Sequence, residues 1–371
     1  MKHVFEFAEF SNQPVIEQAL GILGDKGRRS KFGEQTGYFE NLLEKAKKLG
    51  VDAYVFTDFK PEGVTAWTLD EGKWVSSVRG LPKVFYNRSF RKRRYTGGQS
   101  STRALAEMGC IPMNSADFRK LALDKHSTYE SLVNEELGEL GLPYTEKYSR
   151  DNVIPFIVDH PSAILKPRYG SGGRGIIKLT KNGNGYELQY KDYKINCPED
   201  QLLERIDSIR QKLHTESRLY IIQECITLPK YNDSVFDVRV IYQKGSQGKA
   251  LRTGMAARIA APNRVTANLH QGGGKAPLSN ILEKLFNQDI TGPIAESIRK
   301  YSKIVFEILD KKVGPIGEVG IDFLIDQAGK VHLIEVNSVP GRNLFKILPE
   351  IREAAISRPI EYAKYLLFPK K

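Results

Sequence analysis

Cysteine is scarce in this chain. There are three in 371 residues, Cys110, Cys197 and Cys225, far apart and without metal-ligand spacing. That argues against zinc and against a disulfide framework, and it fits a reducing cytoplasm. No apolar run approaches the length of a membrane span, roughly 20 residues, and Met1-Lys2-His3-Val4-Phe5-Glu6 lacks the layout of a signal peptide. No membrane partner is therefore expected. There is no internal repeat and no low-complexity segment. No Ser-His-Asp or Cys-His arrangement signals a covalent nucleophile. The glycine-rich loop at 170–175 is neither the Gly-X4-Gly-Lys-Ser/Thr loop, which opens a helix, nor a Rossmann turn: its glycines have the Gly-X-Gly-X-X-Gly spacing, but a strand and not a helix leaves it. What is present is a chain 40% hydrophobic and 27% charged, with a net charge of +12. That length and composition suit a large core in two or three lobes. The positive excess points to anionic partners, whether phosphorylated small molecules, anionic lipid or nucleic acid.

The most informative stretch lies near the end. Gly317-Glu318-Val319-Gly320-Ile321-Asp322-Phe323-Leu324-Ile325-Asp326 and Val331-His332-Leu333-Ile334-Glu335-Val336-Asn337 read as two strands joined by Gln327-Ala328-Gly329-Lys330. A four-residue loop there sets Asp322 opposite Glu335, and the two-residue period puts Asn337 on the same face. Two carboxylates and an amide oxygen, with nothing basic between them, form an all-oxygen set for a hard cation such as magnesium.

Taken in order, residues 1–118 read as an open-sheet α/β lobe. A helix over Phe39–Gly50 ends in lysines and a glycine, and a strand follows over Val51–Phe56. Trp67 and Trp74 flank a hairpin turning at Asp70-Glu71-Gly72. The strand Pro82–Arg88 brings Asn87 and Arg88, candidates for a substrate pocket, to its end. The basic run Arg91-Lys92-Arg93-Arg94 reads as a solvated loop, so nucleic acid is not the expected partner. Asp117 is the expected N-cap of a helix that carries Lys125. An apolar strand holding Lys166 then enters a loop of Gly170, Ser171, Gly172, Gly173, Arg174 and Gly175, and a second strand leaves it. Glycines of this density let backbone N–H groups approach phosphate oxygens, as a mobile flap does. Strands follow over Leu219–Ile226, Phe236–Tyr242 and Lys249–Ile259. Asp237 and Arg239 share a face of the middle one. Asn268 precedes a second glycine-rich loop. An amphipathic helix spans 293–313, and another helical stretch runs to Leu367.

This ordered set resembles the ATP-grasp superfamily, in the branch of RimK and glutathione synthetase, and more closely the YheC/YheD family of endospore coat-associated ATP-grasp proteins. The resemblance runs through Phe32-Gly33-Glu34-Gln35-Thr36-Gly37-Tyr38-Phe39, Tyr86-Asn87-Arg88, Leu165-Lys166-Pro167 to Gly175, Phe236-Asp237-Val238-Arg239 and Glu335-Val336-Asn337-Ser338-Val339-Pro340-Gly341-Arg342. It implies an N-terminal α/β domain over 1–118 and an ATP-grasp domain over 119–371. Within the latter, two α+β subdomains would clamp ATP, a lid over about 145–222 and a metal-bearing part over about 223–371.

The resemblance also implies roles. Lys125 and Lys166 would contact ATP phosphates under the 170–175 flap, and Gln223, Glu224, Cys225 and Ile226 would line the adenine. Asp237 and Asn268 fall among the nucleotide-site positions. Asp322, Glu335 and Asn337 would hold magnesium. Arg239 and Arg258 would neutralise the transferred phosphate, and Arg342 would bind a substrate carboxylate. The implied activity is an ADP-forming carboxylate–amine ligase acting on small-molecule or peptide substrates through an acyl phosphate. Its expected place is the cytoplasm, with association to a developing spore coat as a further expectation. Rival readings are a catalytically silent ATP-binding spore protein and an ATP-grasp kinase.

Overall fold

A computed structural model describes residues 14–90, 100–170, 172–261, 274–341 and 348–369. Its contacts divide the chain into one unit of Met1–Ala116, Lys244–Lys249 and Ile356–Lys371, and another of Asp117–Gln243 and Ala250–Ala355. The basic run 91–94 lies outside the described residues.

The first unit contains β1 (Ile16–Leu23), α1 (Thr36–Lys48), β2 (Ala53–Phe56), β3 (Phe59–Lys60), β4 (Gly63–Asp70), β5 (Lys73–Arg79), β6 (Leu81–Asn87), α2 (Ser101–Glu107) and β7 (Ile111–Pro112). Its sheet runs β3-β4-β2-β1-β6-β7, with β5 paired to β4. β1 is parallel to β2 and β6, and β6 to β7. The α1 stripe Phe39, Leu42, Leu43 and Ala46 is buried at helical spacing, and Lys45, Lys47 and Lys48 face the negative end of the helix dipole. The expected hairpin forms between β4 and β5, where Asp70 pairs with Lys73. Glu71 and Gly72 both adopt positive φ in the two-residue turn. One segment departs from the expected boundary. Ile356, Ile360, Tyr362, Ala363 and Leu367, near the end of the chain, join the apolar core of this first unit. Their apolar side chains have a core to fill there, which a division by chain order does not reveal.

The second unit begins with α3 (Ala116–Leu123) and α4 (Lys125–Leu132). One continuous helix through Lys125 does not form. Asp124 adopts an extended conformation (φ −112°, ψ 104°) and its carboxylate accepts from the backbone N–H groups of His126 and Ser127, so it caps a new helix. Lys125 is thereby the first residue of α4. A six-stranded sheet follows from β8 (Thr145–Lys147), β9 (Ser162–Pro167), β10 (Ile177–Asn182), β11 (Gly185–Tyr190), β12 (Tyr193–Pro198) and β13 (Tyr220–Glu224), ordered β12-β11-β10-β9-β13-β8. Helices α5 (Val153–Asp159) and α6 (Leu202–Lys212) supply Val153, Phe156, Leu202, Ile206 and Ile209 to its core.

The other sheet of this unit is β16-β15-β14-β17-β18, from β14 (Phe236–Lys244), β15 (Ala250–Ile259), β16 (Gly274–Ala276), β17 (Glu318–Ile325) and β18 (Val331–Asn337). It packs on α7 (Leu278–Leu285) and α8 (Gln288–Val313). The buried stripe Ile294, Ile298, Tyr301, Val305 and Leu309 of α8 meets Val319, Ile321, Phe323 and Ile325 of β17. The last helix is α9 (Pro349–Leu367). Among the described residues, no helix is long and apolar enough to cross a membrane.

Gly141 stitches the segment after α4 to β18, with N–H donated to Val331 O at 2.8 Å and its own carbonyl accepting from Leu333 N at 2.9 Å. A Cβ at this position would lie 2.1 Å from Nδ1 of His332, which is buried and whose Nε2 meets Asp326 Oδ2 at 2.9 Å. Gly141→Ala is therefore expected to lower the thermal midpoint by several degrees, because the neighbouring ring is not free to yield. A midpoint equal to wild type in calorimetry would contradict this close approach.

Candidate functional site

The hairpin of β17 and β18 brings Asp322 opposite Glu335, by a route the loop length does not reveal. The turn is one residue tighter than four. Asp326 N–H bonds to Lys330 O, Gly329 N–H to Asp326 O, and Gly329 takes φ +87°. Ile325, Leu324 and Phe323 consequently pair with Val331, His332 and Leu333, a register that would carry Glu335 and Asn337 to the core face. A bulge restores the phase. Phe323 pairs with Leu333 but Asp322 with Glu335, so Ile334 is the extra residue. Val331, Leu333 and Val336 stay in the core, while Glu335 and Asn337 turn to the face that carries Asp322.

That face is not free of basic groups, contrary to the sequence expectation. β14 runs antiparallel beside β17 and sets Arg239 directly opposite Asp322. Arg239 Nε donates to Asp322 Oδ1 at 2.6 Å, and Nη2 to Oδ2 at 2.5 Å. Arg258, from β15, donates from Nε and Nη2 to Asp237 at 2.6 and 2.7 Å, and from Nη2 to Asp322 Oδ2 at 2.9 Å. Asn337 Nδ2 donates to Asp322 Oδ2 at 3.2 Å, which leaves its carbonyl oxygen as the end a cation would meet. Across the hairpin, Lys125 Nζ lies 3.3 Å from Glu335 Oε1. Three acids, Asp237, Asp322 and Glu335, thus face three cations, Arg239, Arg258 and Lys125.

The buried members respond differently. Burial works against ionisation of Asp322, but Arg239 and Arg258 outweigh it and hold the carboxyl below its ordinary value. For Asp237 burial prevails over Arg258, and the carboxyl rises to about 6.

A pocket opens beside this face, lined by Lys125, Lys166, Gln223 and Glu335 with apolar walls that include Ala122, Leu142 and Leu333. Lys166 is buried, and its Nζ donates to Gln223 Oε1 at 2.7 Å. Gln223 Nε2 in turn donates to Thr145 Oγ1, which donates to Pro143 O, so the amide orientation is fixed from behind. Burial, together with nearby Lys125, lowers Lys166 to about 8, with Glu335 opposing. Lys125 Nζ also donates to Gly170 O at 2.6 Å, at the root of the glycine loop. There Gly170, Gly172, Gly173 and Gly175 all take positive φ, and Arg174 sits between the last two.

The structure therefore gathers Lys125, Lys166, Gln223 and Glu335 around one pocket, with Asp322, Asn337, Arg239, Arg258 and Asp237 on the adjoining sheet face. Glu224, the last residue of β13, and Cys225 and Ile226 after it do not line the pocket. The N–H groups of Glu224 and Cys225 go to the carbonyls of Tyr144 and Ser162. Ser171, Asn268 and Arg342 lie outside the described residues. Sequence reasoning missed Thr145, Asp124 and Arg168. A signal existed for one of them, since Asp124-Lys125-His126-Ser127 places an N-cap residue just before a helix start.

A family model described as YheC/D like ATP-grasp matches residues 116–366. Endospore coat-associated protein YheD of Bacillus subtilis (strain 168) is 26% identical over 351 residues, covering 90% of this chain and 75% of that protein. Among solved structures, VanG D-Ala:D-Ser ligase from Enterococcus faecalis gives a TM-score of 0.57 at 12% identity, over 96% of this chain and 100% of that one. N5-carboxyaminoimidazole ribonucleotide synthetase, solved as an ADP complex, gives 0.53 at 12% identity, over 93% and 78%. At these identities the likeness shows the fold, which is that of ATP-grasp proteins.

The two facing acids should behave unequally. Asp322, whose side chain is 2% exposed, is enclosed by guanidinium groups, so Asp322→Asn leaves buried positive charge uncompensated. The expected loss of stability is about 3–5 kcal/mol. Glu335→Gln, at a more exposed position, should stay within about 0.5 kcal/mol of wild type. Denaturant unfolding compares them, and equal losses would contradict the burial of the Asp322 cluster.

Proposed function

Because the chain belongs to the YheC/D-like ATP-grasp family, we propose that it is a magnesium- and ATP-dependent carboxylate–amine ligase that works through an acyl phosphate and releases ADP. The observation that carries this reading is the pocket where Lys125 and Lys166 stand beside Glu335, next to the face of Asp322 and Asn337. Phosphate oxygens need the lysines and the glycine-loop N–H groups, and a hard cation needs the carboxylates. The donor set fits magnesium, provided Asp322 shares its oxygens with or releases a guanidinium. Once bound, the metal would offset charge on the phosphate oxygens.

The chain's own residues have definable tasks in this reaction. Lys125, Lys166 and the glycine loop hold the phosphates in line. Arg239 and Arg258 counter the charge of the moving phosphoryl group. The substrate carboxylate oxygen attacks the γ-phosphorus and the bond to ADP breaks, forming the acyl phosphate. The amine nitrogen then attacks the acyl carbon, phosphate leaves, and the surplus proton goes to phosphate or water. The work is positioning and electrostatics, which needs no nucleophilic triad. We place the protein in the cytoplasm, and the name of the YheD relative supports an association with the endospore coat.

ADP release with magnesium and ATP against pooled amino acids, short peptides and polyamines tests the activity, with Glu335→Gln as the blank. Substrate-dependent ADP above the blank, with an amide and free phosphate as products, is expected. A phosphate ester without free phosphate would mean a kinase. ATP binding with no turnover on any pool, extract of sporulating cells included, would favour the silent spore protein. The phosphate role of Lys166 has its own pH signature. Only the protonated amine attracts phosphate, so nucleotide affinity should weaken as pH rises through about 8, and Lys166→Met should flatten that dependence. A wild-type affinity that does not change across this range in calorimetry would remove Lys166 from the phosphate site.

A further inference from the structure

We propose that Asp124 and Arg168 are a positioning pair that holds the root of the glycine flap against the helix carrying Lys125, and so sets nucleotide affinity without touching nucleotide. The inference rests on the nucleotide-binding reading above. Arg168 stands two residues beyond Lys166 and two before Gly170, where β9 passes into the flap. Its Nε donates to Asp124 Oδ1 at 2.7 Å and its Nη2 to Oδ2 at 2.6 Å, a bidentate clamp with the two side chains only 18% and 9% exposed.

The same Asp124 carboxylate accepts from His126 and Ser127 N–H and from Ser127 Oγ, and so fixes the first turn of α4. The backbones are joined as well. Lys125 N–H donates to Arg168 O at 3.1 Å, and Asp124 bridges to Tyr169. Lys125 Nζ then reaches Gly170 O, so one carboxylate governs both where Lys125 starts and where the flap begins.

The pair has a physical task. Lys125 and Lys166 line the same pocket, and their like charges repel before any anion arrives, which is one cause of the lowered Lys166 value. Held only by their own side chains, the two amines would relax apart. The clamp fixes the backbone of Lys125 to that of β9, and keeps both amines where a polyphosphate would meet them. Burial works against a charged Asp124, yet Arg168 and the Ser127 bonds bring it down to about 2, so the clamp stays ionised throughout the neutral range.

The two tasks of Asp124 separate by substitution. Asp124→Asn keeps the cap, since asparagine caps as well as aspartate, but removes the charge facing Arg168. Arg168→Lys keeps the charge and removes the fork. Magnesium ADP is titrated into each variant and into wild type by calorimetry, with unfolding midpoints measured in parallel. Both variants should fold, with midpoints lowered by the loss of the buried pair, and bind ADP about tenfold more weakly, a change of about 1.4 kcal/mol. In a Lys125→Met background, Asp124→Asn should weaken binding no further, which a general loss of rigidity would not reproduce. Should Asp124→Asn fail to fold, Arg168→Lys in the two backgrounds answers the same question. Unchanged ADP affinity in the folded variants, or an equal further loss with Lys125 removed, overturns the positioning role. If wild type itself binds no ADP, the nucleotide reading fails instead.

Discussion

Two carboxylates are made to face each other at one position of a β-hairpin, and the surrounding site is arranged to make that tolerable. Asp322 and Glu335 are directly opposite on β17 and β18, where side chains of paired residues start about 4.5–5.5 Å apart. Those are Cβ separations; unit charges brought as close as about 5 Å would repel by roughly 332/(20 × 5), about 3 kcal/mol at an effective dielectric near 20, and cations beside the carboxylates offset a cost of that kind. Arg239 and Arg258 compensate one acid and Lys125 the other, and Asp237 in turn compensates Arg258. The groups suited to bind phosphate are therefore partnered with the groups suited to bind a metal. A metal–nucleotide complex would exchange these internal pairs for external ones on binding. Phosphate would take the lysine and arginines, and the cation would take the acids.

Much of this was legible in the sequence, because short-range rules govern it. Alternation along Phe236–Tyr242 correctly put Asp237 and Arg239 on one face, and the apolar stretches flanking four glycines correctly gave a strand, a loop and a second strand. The pairing of Asp322 with Glu335 was also legible, although two departures from the simple reading cancel. The turn is shorter by one residue and Ile334 bulges by one. Nothing local to Ile334 announces a bulge. What selects it is the cost of burying Glu335 and Asn337 among Val319, Ile321 and Phe323.

Other features depend on contacts distant in sequence. The guanidinium groups on Asp322 come from β14 and β15, more than sixty residues away (|i−j| of 83 and 64), so a face judged from β17 and β18 alone looked free of basic groups. The break between α3 and α4 is a local competition that Asp124 wins by capping, reinforced by Arg168 from just beyond β9. The return of Ile356–Leu367 to the first unit's core has no local signal either, since the apolar residues of that helix do not say which core they fill. The fold shared with ATP-grasp proteins explains the common machinery. A fold does not by itself name a substrate, because substrates are read by residues grafted onto the shared frame.

The exchange of internal for external pairs has a direct thermodynamic test. Manganese, a spectroscopically visible substitute for magnesium, is titrated into the protein with and without a saturating non-hydrolysable ATP analogue, by paramagnetic resonance and calorimetry. If the acids are already satisfied by Lys125, Arg239 and Arg258, manganese should bind weakly alone, and at least tenfold more tightly when the analogue draws those cations away, about 1.4 kcal/mol of coupling. Equal affinity for manganese with and without the analogue, after allowance for metal held by the free nucleotide, would contradict the exchange.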